Sequence, residues 1–155
     1  MLDELVACPK QIIQPPKKAM TTVNGSQRNG MRVVCAKGRQ FSVFMRISEE
    51  FNENFSIGLQ YEPPDDSPVI LLRCNGPHGE VVQSLTDQLP EHYDTHIHRA
   101  TEENIREGRR PESGAVATRD YATYAEALKV FLGLANIEWT REHFPELSNQ
   151  KTLFE

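Results

Sequence analysis

The stretch that decides the fold is Arg39-Gln-Phe-Ser-Val-Phe-Met-Arg-Ile47. Every second residue from Phe41 to Ile47 is apolar, which is the period of a strand with one buried face. Residues 55–61 alternate in the same way, and residues 31–36 are rich in strand-forming types. The apolar run at 69–72 is typical of a strand buried on both faces. Four strands joined by short turns predict an antiparallel meander.

The second half of the chain adds a further strand and a helix. We interpret residues 93–99 as a short fifth strand. Thr123-Tyr-Ala-Glu126 is a capping box followed by a broad apolar stripe, which predicts an amphipathic helix over about 124–136. The predicted fold class is therefore α+β: an antiparallel sheet of about five strands, arranged as a meander, with this C-terminal amphipathic helix packed on one face.

The length of 155 residues suits one domain with two less regular ends. Residues 1–30 are predicted to be an irregular N-terminal arm, because Pro15-Pro16 disfavours helix and Asn24-Gly25 and Asn29-Gly30 are turn signals. Residues 31–137 are predicted to form the single α+β domain. Residues 138–155 are predicted to be a peripheral tail.

The net charge of −5 hides a division along the chain. Residues 1–48 hold eight basic and two acidic groups, a net charge of +6. Residues 49–155 hold nine basic and twenty acidic groups, a net charge of −11. A polarised chain can present a basic surface to nucleic acid or to an acidic partner, although scattered basic residues are more often a solvated surface.

The sequence also restricts the class of protein. Its apolar runs are far shorter than the roughly 18 residues that a spanning helix needs, and its first residues do not resemble a secretory signal. Three cysteines, Cys8, Cys35 and Cys74, are widely spaced and form no CxxC pair. We therefore expect a cytoplasmic protein with free thiols and no membrane partner.

The candidate site combines two segments, Arg73-Cys-Asn-Gly-Pro-His78 and Asp94-Thr-His-Ile-His-Arg99. In a strand over 93–99, alternation places Asp94, His96 and His98 on one face and Ile97 on the other. Two imidazoles can hold one acid and one base near neutral pH, and arginine binds phosphate oxygens. Such a set is sufficient for metal-independent RNA cleavage by attack of the ribose 2′-hydroxyl.

The hypothesis gives each residue a role. His96 and His98 are the catalytic acid and base, with His78 as an accessory catalytic group. Asp94 orients an imidazole. The substrate-binding candidates are Arg73, Arg99 and Asn75, although Arg99 points away from the histidines unless the strand ends or bulges there.

Two alternatives remain open from the residues alone. The first is a non-enzymatic interaction module whose histidines are merely exposed on the sheet and whose arm docks on a partner. The second is a zinc-binding domain that uses Cys74, His78, His96 and His98, against which stands the frequent burial of cysteine in cores. In addition, Phe51, Phe55 and Tyr61 are candidate base-stacking aromatics, although such residues are more often part of the core.

The motifs that carry a family resemblance run through most of residues 1–137. They include Asn54-Phe-Ser-Ile-Gly-Leu59, Leu72-Arg-Cys-Asn-Gly-Pro-His-Gly79 and His96-Ile-His-Arg-Ala-Thr101. This pattern resembles a family of small bacterial proteins of unknown function. The second half is also remotely similar to TumE-type toxins of toxin–antitoxin modules. That resemblance implies a small RNA-directed toxin of a toxin–antitoxin or phage-defence system, acting in the bacterial cytosol beside an antitoxin-like protein.

Overall fold

The alternating stretch around Phe41 lies in the middle of a large sheet. The computed structural model of the chain describes residues 1–77 and 95–147, and within these residues nine strands form one sheet. The strands are β1 Lys10–Gln14, β2 Thr21–Val23, β3 Ser26–Cys35, β4 Gln40–Ser48, β5 Phe55–Glu62, β6 Val69–Asn75, β7 His96–Arg99, β8 Val116–Ala117 and β9 Ile137–Glu138. The helices are α1 Leu2–Ala7, α2 Glu102–Arg106 and α3 Tyr124–Leu134, with a single 3₁₀ turn at Ala36–Gly38.

Strands β3 to β8 follow one another across the sheet as an antiparallel meander. The outer edge of β3 is covered by two short strands, β1 at one end and β2 at the other. Strand β9 then pairs with β1 in parallel. The α+β class and the antiparallel meander are confirmed, but the expected size of about five strands is wrong.

Two of the four strands that were not predicted, β1 and β2, lie in the predicted arm, so the expectation of an irregular segment over 1–30 is wrong. Asn24 and Gly25 have φ values of 49° and 80°, and they form the tight turn between β2 and β3. Asn29-Gly30, in contrast, continues β3, where Gly30 pairs with Phe44. Of the two Asn-Gly pairs, only Asn24-Gly25 forms a turn. Pairing with β4 keeps Asn29-Gly30 extended.

One face of the sheet carries the core. Phe41, Val43 and Met45 of β4 are buried there together with Ile57 and Leu59 of β5. Strands β5 and β6 contact α3, whose buried side chains Ala127, Leu128, Phe131 and Leu132 belong to the same cluster.

Helix α3 begins where the capping box predicts. The Thr123 hydroxyl accepts a hydrogen bond from the Glu126 N–H at 3.2 Å, and the Glu126 carboxylate accepts one from the Thr123 N–H at 3.1 Å. The helix ends at Leu134, two residues before the predicted end, and Asn136 follows in a left-handed conformation with φ 55°. The predicted peripheral tail is also corrected up to residue 147, because Phe144 and Leu147 are buried in the core.

Among residues 1–77 and 95–147, no helix has the length and apolar character that crossing a membrane would require.

Candidate functional site

Opposite the core, the sheet presents a face that is rich in polar side chains. Cross-strand pairing from β3 to β7 aligns one row across it: Arg28, Arg46, Ser56, Asn75 and His96. The next row on the same side consists of Gly30, Phe44, Gly58, Arg73 and His98. We call these ten residues the site face. Strand alternation alone places them on the side opposite Val43 and Ile57.

A hydrogen-bonded chain occupies the buried end of the first row. The Ser56 hydroxyl donates to Asn75 Oδ1 at 2.7 Å, and Asn75 Nδ2 lies 3.4 Å from His96 Nε2. Because an amide nitrogen only donates, Nε2 of His96 is the acceptor in this contact. The His96 ring is completely buried, and only 3% of the surface of Asn75 is exposed to solvent. His96 therefore contacts protein rather than solvent.

His98 is the more accessible of the two predicted catalytic histidines. It is half-buried, and its ring centroid lies 5.1 Å from that of His96 in an edge-on arrangement. Its Nδ1 lies 3.1 Å from the backbone oxygen of Glu112. A carbonyl oxygen only accepts, so Nδ1 carries a hydrogen and Nε2 carries the lone pair of the neutral ring. This tautomer is the one that a general base acting through Nε2 requires.

Arg73 lies beside His98 in the second row and contacts a carboxylate that the sequence did not reveal. Its Nη2 lies 3.5 Å from Glu112 Oε2, and the Glu112 side chain is only 5% exposed. Burial lowers the pKa of Arg73, and the negative charge of Glu112 opposes that shift. The Nε–H of Arg73 is buried without a hydrogen-bond partner among the described residues.

Three guanidinium groups surround a pocket of about 370 Å³ on the site face, those of Arg28, Arg46 and Arg73. Burial lowers the pKa of Arg46, and the positive charges of Arg28 and Arg73 lower it further. Arg46 donates to the neutral Asn54 side chain at 3.1 Å. Within the described ranges, Glu112 is the one carboxylate that forms an ion pair with any of the three arginines. Counting only residues 1–77 and 95–147, the pocket therefore has an excess of positive charge.

The structure brings Arg73, Asn75, His96 and His98 onto one face and separates Arg99 from them. Arg99 pairs with Leu72 on the core side of the sheet, and its side chain is exposed there. Strand β7 continues without a bulge through His98, so the irregularity that would bring Arg99 into the site is absent from β7. Arg99 is thus corrected as a substrate-binding candidate. His78 and Asp94 lie outside the described residues.

Cys74 also lies on the opposite side from the histidines. It pairs with Ile97, it is fully buried in the core, and burial raises the pKa of its thiol to about 12. The sheet therefore separates Cys74 from His96 and His98 of the suggested zinc set, while His78, its fourth member, lies outside the described residues. In the part of the chain that the structure describes, no group of three or more histidine, cysteine or acidic residues is arranged to hold a metal ion.

The aromatic residue on the site face is Phe44, which the sequence analysis did not select. Phe55 is instead buried in the core, and Phe51 is exposed between β4 and β5. The Tyr61 ring lies on the core side, with its centroid 5.3 Å from that of Phe41 in a tilted arrangement. The signal for Phe44 was present in the alternation of residues 41–47, which places it beside Arg46 and opposite the apolar set. Glu112 had no comparable signal, because it lies in a loop that is far from Arg73 in the sequence.

Comparisons with family models, with curated proteins and with solved structures gave no match to this chain. Function is therefore inferred from the chemistry of the site face.

Proposed function

We propose that the site face binds the phosphate backbone of RNA. The observation that carries this proposal is the grouping of Arg28, Arg46 and Arg73 around one pocket, with a single paired carboxylate among the described residues. Guanidinium groups bind phosphate oxygens through paired N–H donors, and phosphate contacts dominate the affinity of proteins for nucleic acids.

The bound RNA is cleaved without a metal ion. His98 Nε2 takes the proton of a ribose 2′-hydroxyl, and the 2′-oxygen forms a bond to the adjacent phosphorus. The bond from phosphorus to the 5′-oxygen breaks, and the leaving oxygen takes a proton from water. The hydroxide that results takes the proton held by His98, which restores the neutral imidazole and the water. The products are a 2′,3′-cyclic phosphate and a 5′-hydroxyl end. Arg73, the cross-strand neighbour of His98, stabilises the charge that grows on the phosphate.

His96 has a positioning role in this scheme. Its burial keeps the ring from the substrate, while its edge-on contact with His98 supports the orientation of that imidazole. The roles of acid and base that the sequence suggested for the pair are therefore reassigned, with His98 acting on the substrate and His96 acting through His98.

A second candidate function is RNA binding without cleavage. The complete burial of His96 favours it, because a buried imidazole within a chain of hydrogen bonds is typical of a structural polar group. Both candidates share the phosphate-binding pocket and differ only in chemistry. Both also suit the bacterial toxin–antitoxin or phage-defence setting that the resemblance implies, in the cytoplasm and with an antitoxin-like protein as partner.

The test uses single-stranded RNA oligonucleotides with EDTA present. Cleavage that leaves 2′,3′-cyclic phosphate ends, and that stops when 2′-deoxy residues replace the ribose, supports the enzyme. His98→Ala is expected to abolish cleavage and leave binding intact, whereas the control His143→Ala, on the separate loop after α3, cleaves normally. Binding without cleavage supports the second candidate. Failure of the wild-type protein to bind RNA at low salt contradicts both.

A separate set of variants tests the pocket lined by Arg28, Arg46 and Arg73. Arg46→Gln and Arg73→Gln are expected to weaken RNA binding and to reduce its salt dependence, since each removes a phosphate contact. Arg106→Gln, at the exposed end of α2, removes the same charge away from the pocket. Equal loss in all three variants would show a general effect of net charge, and it would contradict a phosphate site on this face.

A further inference from the structure

Phe44 has an unusual position at the centre of the site face. Its cross-strand neighbours are glycines on both sides, Gly30 on β3 and Gly58 on β5. A Cβ atom added at Gly58 would collide with Cζ and Cε1 of the Phe44 ring. The ring therefore lies across the backbone of Gly58, along the surface of the sheet, where any larger residue would displace it.

Positive charge surrounds this ring. The guanidinium carbon of Arg73 lies 5.8 Å from the ring centroid, on the far side of Gly58. Arg46 follows two residues later on the same face of β4, a separation of about 6.8 Å along a strand. Phe44, Arg46 and Arg73 all line the pocket. An aromatic surface thus lies between two groups that can each hold a phosphate.

We propose that Phe44 is a stacking platform for one nucleobase of single-stranded RNA, with the flanking phosphates held by Arg46 and Arg73. This inference rests on the proposed function and names its substrate class. A base can stack on a protein side chain only when it is free of its own neighbours, which excludes a continuous duplex. Gly58 leaves the space that the half-buried Phe44 ring needs to lie along the sheet.

Packing alone gives Phe44 a different role. A ring that shields the Gly58 backbone and contacts Arg73 would stabilise the sheet without any ligand. The two roles predict different binding. A stacking platform gives a preference for a ligand that carries bases, whereas a ring that only shields the backbone gives no such preference. The experiment therefore varies the ligand as well as the protein.

The probe is a 2′-O-methyl RNA oligonucleotide, which the proposed chemistry cannot cleave, compared with an abasic oligonucleotide of the same backbone and length. Fluorescence anisotropy measures both affinities. The wild-type protein is expected to bind the base-bearing strand about 5- to 150-fold more tightly, the range for one stacked base. Phe44→Leu is expected to remove this preference, and Phe44→Tyr, which keeps the ring, to retain it.

Gly58→Ala provides an independent variant, because the added methyl group displaces the ring without removing it. It is also expected to lose the preference for bases. Circular dichroism melting confirms that each variant used is folded. If Gly58→Ala does not fold, the comparison of Phe44→Leu with Phe44→Tyr decides.

Other outcomes separate this inference from the proposed function. Equal affinity of the wild-type protein for base-bearing and abasic strands overturns the platform and leaves the phosphate site standing. No binding of either strand overturns the proposed function itself. Displacement of RNA by polyglutamate at an equal charge concentration would identify an acidic protein segment as the ligand, and this result also overturns the platform.

Discussion

The backbone oxygen of Glu112 lies 3.1 Å from Nδ1 of His98, so a residue in the loop between α2 and β8 fixes the tautomer of a histidine on β7. The same residue directs its carboxylate at Arg73 on β6. One loop residue thus orients the proposed base through its backbone and reduces the charge of a proposed phosphate ligand through its side chain. These two effects are separable, because substitution changes only the second.

Glu112→Gln is expected to tighten RNA binding several-fold. The substitution removes a carboxylate that is ion-paired with Arg73 and keeps the backbone oxygen that contacts His98. Anisotropy titrations at two salt concentrations measure the change. Glu107→Gln is the control, since it removes a charge from an exposed pair with Arg109. Weaker binding by Glu112→Gln would mean that the carboxylate is needed to position Arg73.

Arg28→Gln is expected to weaken RNA binding and yet to raise the free energy of unfolding slightly. Arg28 is exposed, and its charge lies close enough to lower the pKa of Arg46. Relief of this repulsion is worth about 0.3 kcal/mol, the size of a surface charge interaction. Urea denaturation and RNA titration of the same sample measure both effects. If Arg28→Gln lowers both the free energy of unfolding and the affinity for RNA, the arginines do not repel one another in the folded protein, and the prediction is wrong.

Tyr121→Phe is expected to lower the free energy of unfolding by about 1–3 kcal/mol. The buried Tyr121 hydroxyl lies 2.9 Å from the backbone oxygen of Asn75 and 2.8 Å from that of His96, to which it donates. Its removal leaves those oxygens with one fewer donor at the junction of β6 and β7. Tyr61→Phe, at a half-buried position, is the matched control in urea denaturation. A loss no larger than in this control would show that the hydroxyl contributes little.

The raised pKa of the buried Cys74 thiol predicts that the free energy of unfolding falls in alkaline solution. Burial raises the pKa of its thiol from an ordinary value of 9.0 to about 12, so the folded protein keeps the proton that the unfolded chain releases. This contribution is fully present below about pH 9 and declines by about 1.4 kcal/mol per pH unit between pH 9 and 12.

Comparison with Cys74→Ala isolates this effect, because the other titrating groups remain in both proteins. The difference in unfolding free energy between wild type and variant is expected to shrink by about 2 kcal/mol from pH 8 to pH 10.5. Urea denaturation at several pH values measures it. A constant difference over that range would show that the thiol has an ordinary pKa.

Local patterns in the sequence were sufficient for the central part of the fold. The alternation around Phe41 placed β4 correctly, and the capping box at Thr123 gave the start of α3. Alternation within a strand over 93–99 likewise predicted that His96 and His98 share a face. These features depend on neighbours within a few residues, which is the range that periodicity and capping describe.

Pairings between distant segments could not be predicted in this way. Strand β1 exists because it pairs with β3 and β9, and nothing in Lys10–Gln14 alone specifies those partners. Lys10 illustrates the problem, since a charged side chain suggests solvent. Instead its ammonium group is buried and donates to the backbone oxygens of Val6, Cys8 and Ala135 at 2.6–2.9 Å. The contact of Glu112 with Arg73 was not predicted either, because it also joins segments that are far apart in the sequence.

Lys10→Met is expected to destabilise the protein by about 3 kcal/mol, because it leaves three carbonyl oxygens without their donor. Lys17→Met is the control, since that side chain is exposed. Thermal melting and urea denaturation measure the change. Equal stability of the two variants would show that these oxygens find other partners.

The contact of Lys10 with Ala135 joins residues that are 125 positions apart. The edge of the sheet formed by β1 and β9 therefore cannot be completed until residues 137–138 have been synthesised, long after β1 has left the ribosome. Until then β1 has one open edge, and strands in that state are prone to pair with other chains. The nascent protein thus passes through an aggregation-sensitive stage whose length is set by the time needed to synthesise the chain from β3 to β9.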